Sequence, residues 1–224
     1  MPEAILFDID GTLLDSVDLH AQAWQEAFHQ FGYEFDFAKV RSQIGKGGDQ
    51  LLPFFLSPED VKAKGEQISE FRSGLFKECY LPKVKAFPCT RELFQKIKSY
   101  GQQVGLASSA KGDELTTYKR IANVEDLVEV EATSADAERS KPYPDIFEAA
   151  FKQLKNGISK GEVIVVGDSP HDAEAAVNAG MKIIGVRCGG FAEEDLLRSG
   201  CIAVYDGPED LLDRYDQSPL ARAD

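Results

Sequence analysis

The sequence lacks long apolar stretches and clusters of positive charge. No segment approaches the ~18 consecutive apolar residues that a membrane-spanning helix needs, and no run of Lys or Arg is longer than two residues. The chain carries 25 basic and 38 acidic side chains, which gives a net charge of −13. A surface this acidic repels phosphate backbones and anionic lipids. We therefore expect no binding to nucleic acid and none to a membrane.

Cysteine is scarce, and its spacing fits neither a zinc site nor a disulfide framework. No Cys-x-x-Cys pair occurs, and no histidine lies at ligand spacing from a cysteine. The N-terminal segment has an acid at Glu3, and its apolar run ends at Asp8, which is not the pattern of a signal peptide. These features predict reduced thiols and a cytoplasmic location. The four cysteines are Cys79, Cys89, Cys188 and Cys201.

The overall composition is that of an ordinary globular protein. The chain has 224 residues, of which 43% are hydrophobic and 28% charged, and this excludes disordered, collagen-like and coiled-coil classes. At roughly 150 residues per domain, the length predicts one large domain or one domain with an insertion.

Short apolar runs alternate with amphipathic segments along most of the chain. This alternation predicts β-α-β units and a doubly wound parallel sheet of the α/β class, similar to a Rossmann fold. Helices are predicted over 91–99, 114–122 and 145–154. The predicted buried strands are 4–7, 103–107, 127–130, 163–166, 183–186 and 202–204.

One stretch interrupts this alternation. After the first strand no second strand follows for about ninety residues, far more than one crossover needs. Residues 16–81 have helical patterns instead, over 17–31 and 59–80, joined by a glycine-rich connector. We therefore predict a helical insertion with hinges near Asp15 and Pro82. The last nine residues are expected to form a frayed polar tail.

The first strand ends with two acids followed by Gly-Thr. Asp8 and Asp10 are separated by one residue, at the sheet edge where ligands gather in open parallel sheets. Two acids at that edge are unusual for a purely structural turn. The alternative is that Asp10 and Gly11 form an ordinary turn and that Asp8 is a capping acid.

The fourth strand ends in a second acidic motif, Gly-Asp-Ser-Pro-His-Asp at 167–172. Ser169 and Asp172 have the spacing of a capping box, with Pro170 at the first helical position. Asp172 therefore has two explanations, as a cap and as a functional acid. Asp168 lies between the strand and the cap, at the same edge as Asp8, and is the stronger functional candidate.

Polar residues also follow the second strand and precede a later helix. Ser108 and Ser109 are either N-cap residues or donors to an anion, whereas Lys141 alone would be an ordinary solvated lysine. Together with the acids they converge on one crevice. Several adjacent carboxylates cannot all stay ionised without a cation, and an all-oxygen ligand set indicates Mg²⁺. Hydroxyl, amide and lysine donors are suited to a phosphate dianion.

These four segments, in this order and spacing, resemble the haloacid dehalogenase (HAD) superfamily, in the branch related to β-phosphoglucomutase and phosphoglycolate phosphatase. The resemblance covers nearly the whole chain. It implies a Rossmann-like catalytic core, residues 1–14 and 83–224, and an inserted helical cap domain, residues 15–82. The motif that begins Asp-x-Asp-Gly-Thr at Asp8 and the motif that ends at Asp172 carry this resemblance.

The resemblance implies a role for each acid. Asp8 is the nucleophile that forms an aspartyl-phosphate, which divides one difficult displacement into two easier ones. Asp10 protonates the leaving group and then deprotonates the attacking water. Mg²⁺ is bound by Asp8, the backbone carbonyl of Asp10 and Asp168, with Asp172 as a ligand or as support for the ligands.

The resemblance also implies phosphate contacts. Ser108, the amides near Asp10 and Ser109, and Lys141 hold the transferring oxygens. In dehalogenases of the superfamily a tyrosine replaces the second acid, so Asp10 favours phosphate release or phosphomutase chemistry and disfavours dehalogenation.

Two cap residues have open roles. His20 shares a helical face with Trp24, and either contacts substrate or packs within the cap. Lys46 lies in the loop 45–49, where related mutases have an arginine that binds a second phosphate. This chain has no arginine in that loop. Lys46 either binds a distal group of the substrate or is a solvated turn lysine.

We therefore predict a Mg²⁺-dependent phosphatase of a small phosphorylated metabolite, a sugar phosphate or a phosphoglycolate-like ester, acting as a monomer or homodimer. The alternatives are a phosphomutase that uses the same nucleophile and a non-enzymatic signalling receiver. Receivers carry the phosphorylated acid after the third strand, and the position of Asp8 after the first strand argues against them.

Overall fold

Six parallel strands form the central sheet of the computed structural model, which describes residues 1–155 and 157–221. The strand order is β5-β4-β1-β6-β7-β8, so the first strand is central and lies between the two strands whose ends carry the other motifs. The sheet strands are β1 (Ala4–Phe7), β4 (Gln103–Ala107), β5 (Val130–Ala132), β6 (Val163–Gly167), β7 (Lys182–Val186) and β8 (Ala203–Tyr205).

Helices cover both faces of this sheet. Alternate residues of β1 point to opposite faces because the side-chain period of a strand is two. Ile5 and Phe7 join one apolar cluster, with residues from α5, α6 and α10, whereas Ala4 and Leu6 join the other, with residues from α7, α8 and α9. The doubly wound α/β sheet is thus confirmed. These helices are α5 (Thr90–Ser99), α6 (Gly112–Ala122), α7 (Asp145–Gln153), α8 (Pro170–Asn178), α9 (Glu193–Arg198) and α10 (Pro208–Asp213).

The insertion after β1 is helical, as predicted, and has an apolar cluster of its own. Trp24, Phe28, Leu51 and Ile68 are among its buried members. A π-helical segment, Phe76–Tyr80, follows the last of its helices. The domain limits 15–82 stay a prediction. The helices of the insertion are α1 (Val17–Gln30), α2 (Phe37–Arg41), α3 (Gly48–Phe55) and α4 (Pro58–Leu75).

The expectation that no second strand follows the first for about ninety residues was wrong in detail. Strands β2 (Leu14–Asp15) and β3 (Lys85–Ala86) pair antiparallel at the two ends of the insertion. Each strand has only two residues, which is too short to show a period-two pattern. This ribbon connects the helical insertion to the sheet.

Two other sequence expectations need correction. The predicted strand 127–130 is wrong in position, since β5 starts at Val130, and Leu127 and Val128 pack against the core from a loop. The tail is not frayed over its described part, because Ser218 and Leu220 are buried and the Gln102 side chain donates to the Leu220 carbonyl at 2.8 Å. Residues 222–224 of the predicted tail lie outside the described residues. Among the described helices, none is both long and apolar enough to cross a bilayer.

Candidate active site

Three buried carboxylates meet at the carboxyl end of the central strands. Asp8 follows β1, Asp168 follows β6, and Asp172 lies in the first turn of α8. One oxygen from each lies within 4.8 Å of the other two. The Thr12 hydroxyl is 3.3 Å from both Asp8 Oδ2 and Asp168 Oδ1, and as a single donor it bridges the two acids. The strand order brings together acids that are 160 residues apart in the sequence.

Burial and mutual repulsion disfavour the ionised form of these acids. Burial, opposed by Lys141 and reinforced by Asp172 and Asp10, raises the pKa of Asp8 to about 7. Burial together with the charges of Asp172 and Asp8 raises the pKa of Asp168 well above its ordinary value. A divalent cation relieves both effects, and three carboxylates are the oxygen ligands that Mg²⁺ prefers. The donor set therefore fits a hard divalent metal ion.

Lys141 lies against the cluster, although it is the kind of residue that usually reaches solvent. Its side chain is 1% exposed, and its Nζ contacts Asp8 Oδ1 and lies 2.7 Å from Asp172 Oδ1. Nζ also donates to the Ala107 carbonyl at 3.3 Å. Burial disfavours the ammonium form, but the charges of Asp172 and Asp8 outweigh it and raise the pKa of Lys141. Lys141 is thus a buried cation at the predicted nucleophile.

Asp172 satisfies both explanations offered for it. Its Oδ2 accepts hydrogen bonds from the Ser169 amide at 3.1 Å and from the Ser169 hydroxyl at 2.6 Å, which completes the capping box of α8. Its Oδ1 faces Lys141 and contributes to the carboxylate cluster. One carboxylate therefore caps the helix with one oxygen and joins the site with the other.

Asp10 is held apart from the carboxylate cluster by polar partners. Its Oδ1 accepts from the Ser16 hydroxyl at 2.6 Å and lies 2.9 Å from His20 Nε2. The other ring nitrogen of His20 contacts the Arg72 guanidinium, which can only donate, so Nε2 carries the proton that is donated to Asp10. Burial favours the neutral acid, but His20, Ser16 and Arg72 favour the carboxylate and lower the pKa of Asp10.

A cleft of about 90 Å³ opens beside Asp8 and Asp10, between the helical insertion and the sheet. His20, Lys46 and Ser109 are among the residues that line it, and their phosphate-binding or substrate-binding roles stay predictions. Lys46 Nζ donates to Gln43 Oε1 at 2.7 Å, and burial lowers the pKa of Lys46.

Ser108 and Ser109 follow the same strand but occupy different environments. Ser108 is 1% exposed, and its hydroxyl accepts a hydrogen bond from the Ala110 amide at 3.1 Å. Ser109 forms part of the cleft wall. Ser109 therefore lines the cleft, whereas the Ser108 hydroxyl is buried beside it, and the phosphate contacts of both serines stay predictions.

Arg72 lines the same cleft, and the sequence analysis missed it. Its guanidinium carbon lies 5.2 Å from the ring centroids of both Trp24 and Phe76. Burial lowers the pKa of Arg72, opposed by the charge of Glu114. A signal was present in the sequence, because Arg72 lies four residues after the buried Ile68 of α4 and four residues before the buried Phe76 of the π-helical segment.

A second cavity of about 500 Å³ adjoins the cleft. The two share Trp24, Arg72, Ser109 and Glu114 as wall residues. Five carboxylates but only two cations line the second cavity, which makes it an electronegative compartment. The carboxylates are Asp49, Glu66, Glu70, Glu114 and Glu138, and the cations are Arg72 and Lys111.

Comparison with known proteins identifies the class to which this fold and site belong. Residues 5–186 match the family of haloacid dehalogenase-like hydrolases. The chain is a member of that family, which confirms the resemblance found in the sequence.

Individual relatives agree with this assignment. The chain is 26% identical over 211 residues to a phosphorylated carbohydrates phosphatase of Thermotoga maritima, with 94% of this chain and 96% of that protein covered. It is 33% identical over 191 residues to the protein SUPPRESSOR OF QUENCHING 1, chloroplastic, of Arabidopsis thaliana, covering 82% of this chain but only 18% of that protein. A crystal structure of a hydrolase from Pseudomonas syringae superposes with a TM-score of 0.87 at 27% identity, covering 96% and 98% of the two chains.

Proposed function

We propose that this protein is a Mg²⁺-dependent phosphatase that hydrolyses a small phosphorylated metabolite through an aspartyl-phosphate on Asp8. The observation that carries the proposal is the cluster of Asp8, Asp168 and Asp172 beside the buried ammonium of Lys141. A carboxylate in such surroundings has a cation on one side and an open cleft on the other. The similarity to the phosphorylated carbohydrates phosphatase of Thermotoga maritima supports the hydrolysis of a phosphate ester.

Asp8 performs the first displacement. A carboxylate oxygen of Asp8 attacks phosphorus, the bond from phosphorus to the ester oxygen breaks, and the leaving alkoxide takes a proton from Asp10. Asp8, Asp168 and Asp172 would hold the Mg²⁺ ion, which would supply positive charge to offset that of the phosphoryl oxygens. Lys141 adds a fixed positive charge at the same place, so the anionic nucleophile can approach an anionic ester.

Asp10 supplies and then recovers the proton. Its pKa is below the ordinary value in the free protein, but a phosphate dianion in the cleft raises this pKa by like-charge repulsion. Binding of the ester therefore shifts Asp10 toward the protonated form that the first displacement requires. After the leaving group departs, the Asp10 carboxylate accepts a proton from the water that attacks the aspartyl-phosphate, and inorganic phosphate and Asp8 are released.

The leaving group occupies the second cavity. That cavity shares walls with the cleft and has several times its volume. Its electronegative lining favours neutral or cationic groups such as polyols, which agrees with a sugar phosphate better than with a phosphoglycolate-like ester.

The test is phosphate release from a panel of small esters, with Mg²⁺ and with EDTA. We expect metal-dependent release that Asp8→Asn reduces by at least about a thousandfold, since the nucleophile is lost. Asp60→Asn makes the same chemical change at a partly exposed residue that does not line the cleft and serves as the matched control. Release that survives Asp8→Asn refutes the proposal. Interconversion of sugar phosphate isomers on addition of a bisphosphate, without phosphate release, identifies a phosphomutase.

A further inference from the structure

One residue of the sheet domain is bound by hydrogen bonds to a loop of the helical insertion. We call residues 45–49 the cap loop. Ser140 donates from its amide to Asp49 Oδ2 at 3.1 Å and from its hydroxyl to Asp49 Oδ1 at 2.5 Å. The Gly47 amide donates to the Ser140 hydroxyl oxygen at 2.9 Å. Three hydrogen bonds thus join segments that are more than 90 residues apart.

The cap loop approaches the sheet domain so closely that only glycine fits at two positions. A Cβ at Gly47 would lie 2.7 Å from both Cβ and Oγ of Ser140. A Cβ at Gly45, where φ is +104°, would lie 2.8 Å from the Ser169 hydroxyl. The loop therefore packs directly on Ser140 and Ser169, without intervening side chains.

Both contacted serines adjoin groups of the active site. Ser140 immediately precedes Lys141, whose ammonium contacts Asp8 and Asp172. Ser169 follows Asp168 and bonds to Asp172. A displacement of the Ser140 backbone would move Lys141 from its position against the nucleophile, because adjacent Cα atoms are held 3.8 Å apart.

We infer that Asp49 is a positioning residue for phosphoryl transfer: its carboxylate seats the cap loop on Ser140 and so fixes Lys141 against Asp8. This inference rests on the proposed function. Asp49 lines the second cavity but not the cleft beside Asp8, and its effect on Lys141 is transmitted through Ser140. The Ser140 donors keep Asp49 ionised, since they lower its pKa against the opposing effect of burial.

The contact has little effect on stability. Asp49 is exposed, and exposed polar pairs contribute little to the free energy of unfolding. An effect on catalysis without an effect on the melting temperature therefore separates positioning from a structural role.

The kinetic test compares Asp49→Ala, Ser140→Ala and the double variant, with p-nitrophenyl phosphate and Mg²⁺. We expect each single change to lower kcat about tenfold with less than about a threefold change in KM, because Lys141 acts on the transition state. The double variant should lose less than the two single losses combined, since both single changes remove the bond between the Ser140 hydroxyl and Asp49. Asp49→Asn keeps an acceptor for the Ser140 amide and should recover part of the loss.

The control is Asp60→Ala. Asp60 is also an acid in the first turn of a helix that contacts a serine, with Ser57 Oγ 3.2 Å from Asp60 Oδ2, but this pair lies wholly within the insertion. It should keep wild-type kcat. Wild-type kcat in Asp49→Ala, additive losses in the double variant, or a fall of several degrees in the melting temperature would each overturn the inference.

A second readout does not depend on turnover. Trp24 is the only tryptophan, and its ring lies 3.5 Å from where a Cβ of Gly48 would stand, under the cap loop. With Mg²⁺ and inorganic phosphate present, we expect acrylamide to quench Trp24 about twice as strongly in Asp49→Ala as in wild type or Asp60→Ala. Equal quenching of Trp24 in Asp49→Ala and in wild type would refute the inference that Asp49 holds the cap loop on Ser140. If the wild type releases no phosphate from any ester, the proposed function fails, while the quenching still tests the loop.

Discussion

Asp8→Asn should stabilise the metal-free protein at alkaline pH, although it removes the nucleophile. In the folded protein the pKa of Asp8 is raised from 3.8 to about 7. Above pH 4 the unfolded chain releases this proton, whereas the folded protein keeps it until about pH 7. The contribution of Asp8 to stability is therefore present at acid pH and is lost as the pH rises to about 7. Asparagine does not titrate and escapes this loss.

The magnitude follows from the same shift. Between pH 5 and pH 7 the two states differ by about one proton over two pH units, which corresponds to at most about 3 kcal/mol at ~1.4 kcal/mol per unit. The variant also loses the contact between Lys141 and Asp8, but Lys141 keeps Asp172 as its partner. We expect a net advantage of at least about 1 kcal/mol at pH 8, which is roughly 2–4 °C in melting temperature for a chain of this size.

Thermal unfolding by circular dichroism in EDTA, at pH 5 and at pH 8, measures this difference. Asp60→Asn controls for the same chemical change at a partly exposed residue that does not line the cleft. Adding Mg²⁺ at pH 8 should raise the melting temperature of the wild type more than that of Asp8→Asn, because the variant has lost one ligand. If Asp8→Asn melts below the wild type at pH 8 in EDTA, Asp8 is stabilised by Lys141 more than it is destabilised by burial, and the reasoning fails.

Three further predictions concern the cleft. His20→Ala removes a partner that favours the Asp10 carboxylate, so the acid limb of the kcat profile for phosphate release should move to higher pH. His20→Gln, which keeps a donor, should move this limb less, and an unchanged limb would exclude this role for His20. Arg72→Met should raise KM at least about fivefold with a smaller loss in kcat in steady-state kinetics, since Arg72 lines both cavities; an unchanged KM would exclude substrate contact. The value of kcat/KM should be about tenfold lower for 6-phosphogluconate than for glucose 6-phosphate, because the second cavity repels the additional carboxylate. The double variant with Glu66→Gln and Glu70→Gln should reduce this difference in kcat/KM. Equal values of kcat/KM for the two esters in the wild type would contradict an electronegative second cavity.

The sequence predicted the catalytic end of the site because that end is built from strand termini. A buried strand is a short apolar run, and an acid directly after it, such as Asp8 or Asp168, lies at the carboxyl edge once the sheet is parallel. The strand order then brings the two acids together. Lys141 was less visible, since nothing in its local sequence shows that its side chain is 1% exposed.

The residues contributed by the helical insertion were harder to predict. Arg72 is one of several charged residues on α4, and its position among apolar residues becomes distinct only when the buried face of the helix is known. The bond between Asp49 and Ser140 joins residues 91 positions apart, and no local pattern specifies it. The sequence left His20 either to contact substrate or to pack within the cap. In the structure, His20 stacks on Phe76 within the insertion and also hydrogen-bonds Asp10.

The difference between the predicted and the missed residues follows from which elements of the fold position them. Asp8 and Asp168 directly follow two paired parallel strands, so local motifs specify where these two acids lie. The walls of the second cavity come from the insertion and the sheet domain together. Asp49 and Ser140 line it, one from each part, and are hydrogen-bonded to each other. We therefore expect the shape of this cavity to depend on a contact that joins residues distant in the sequence.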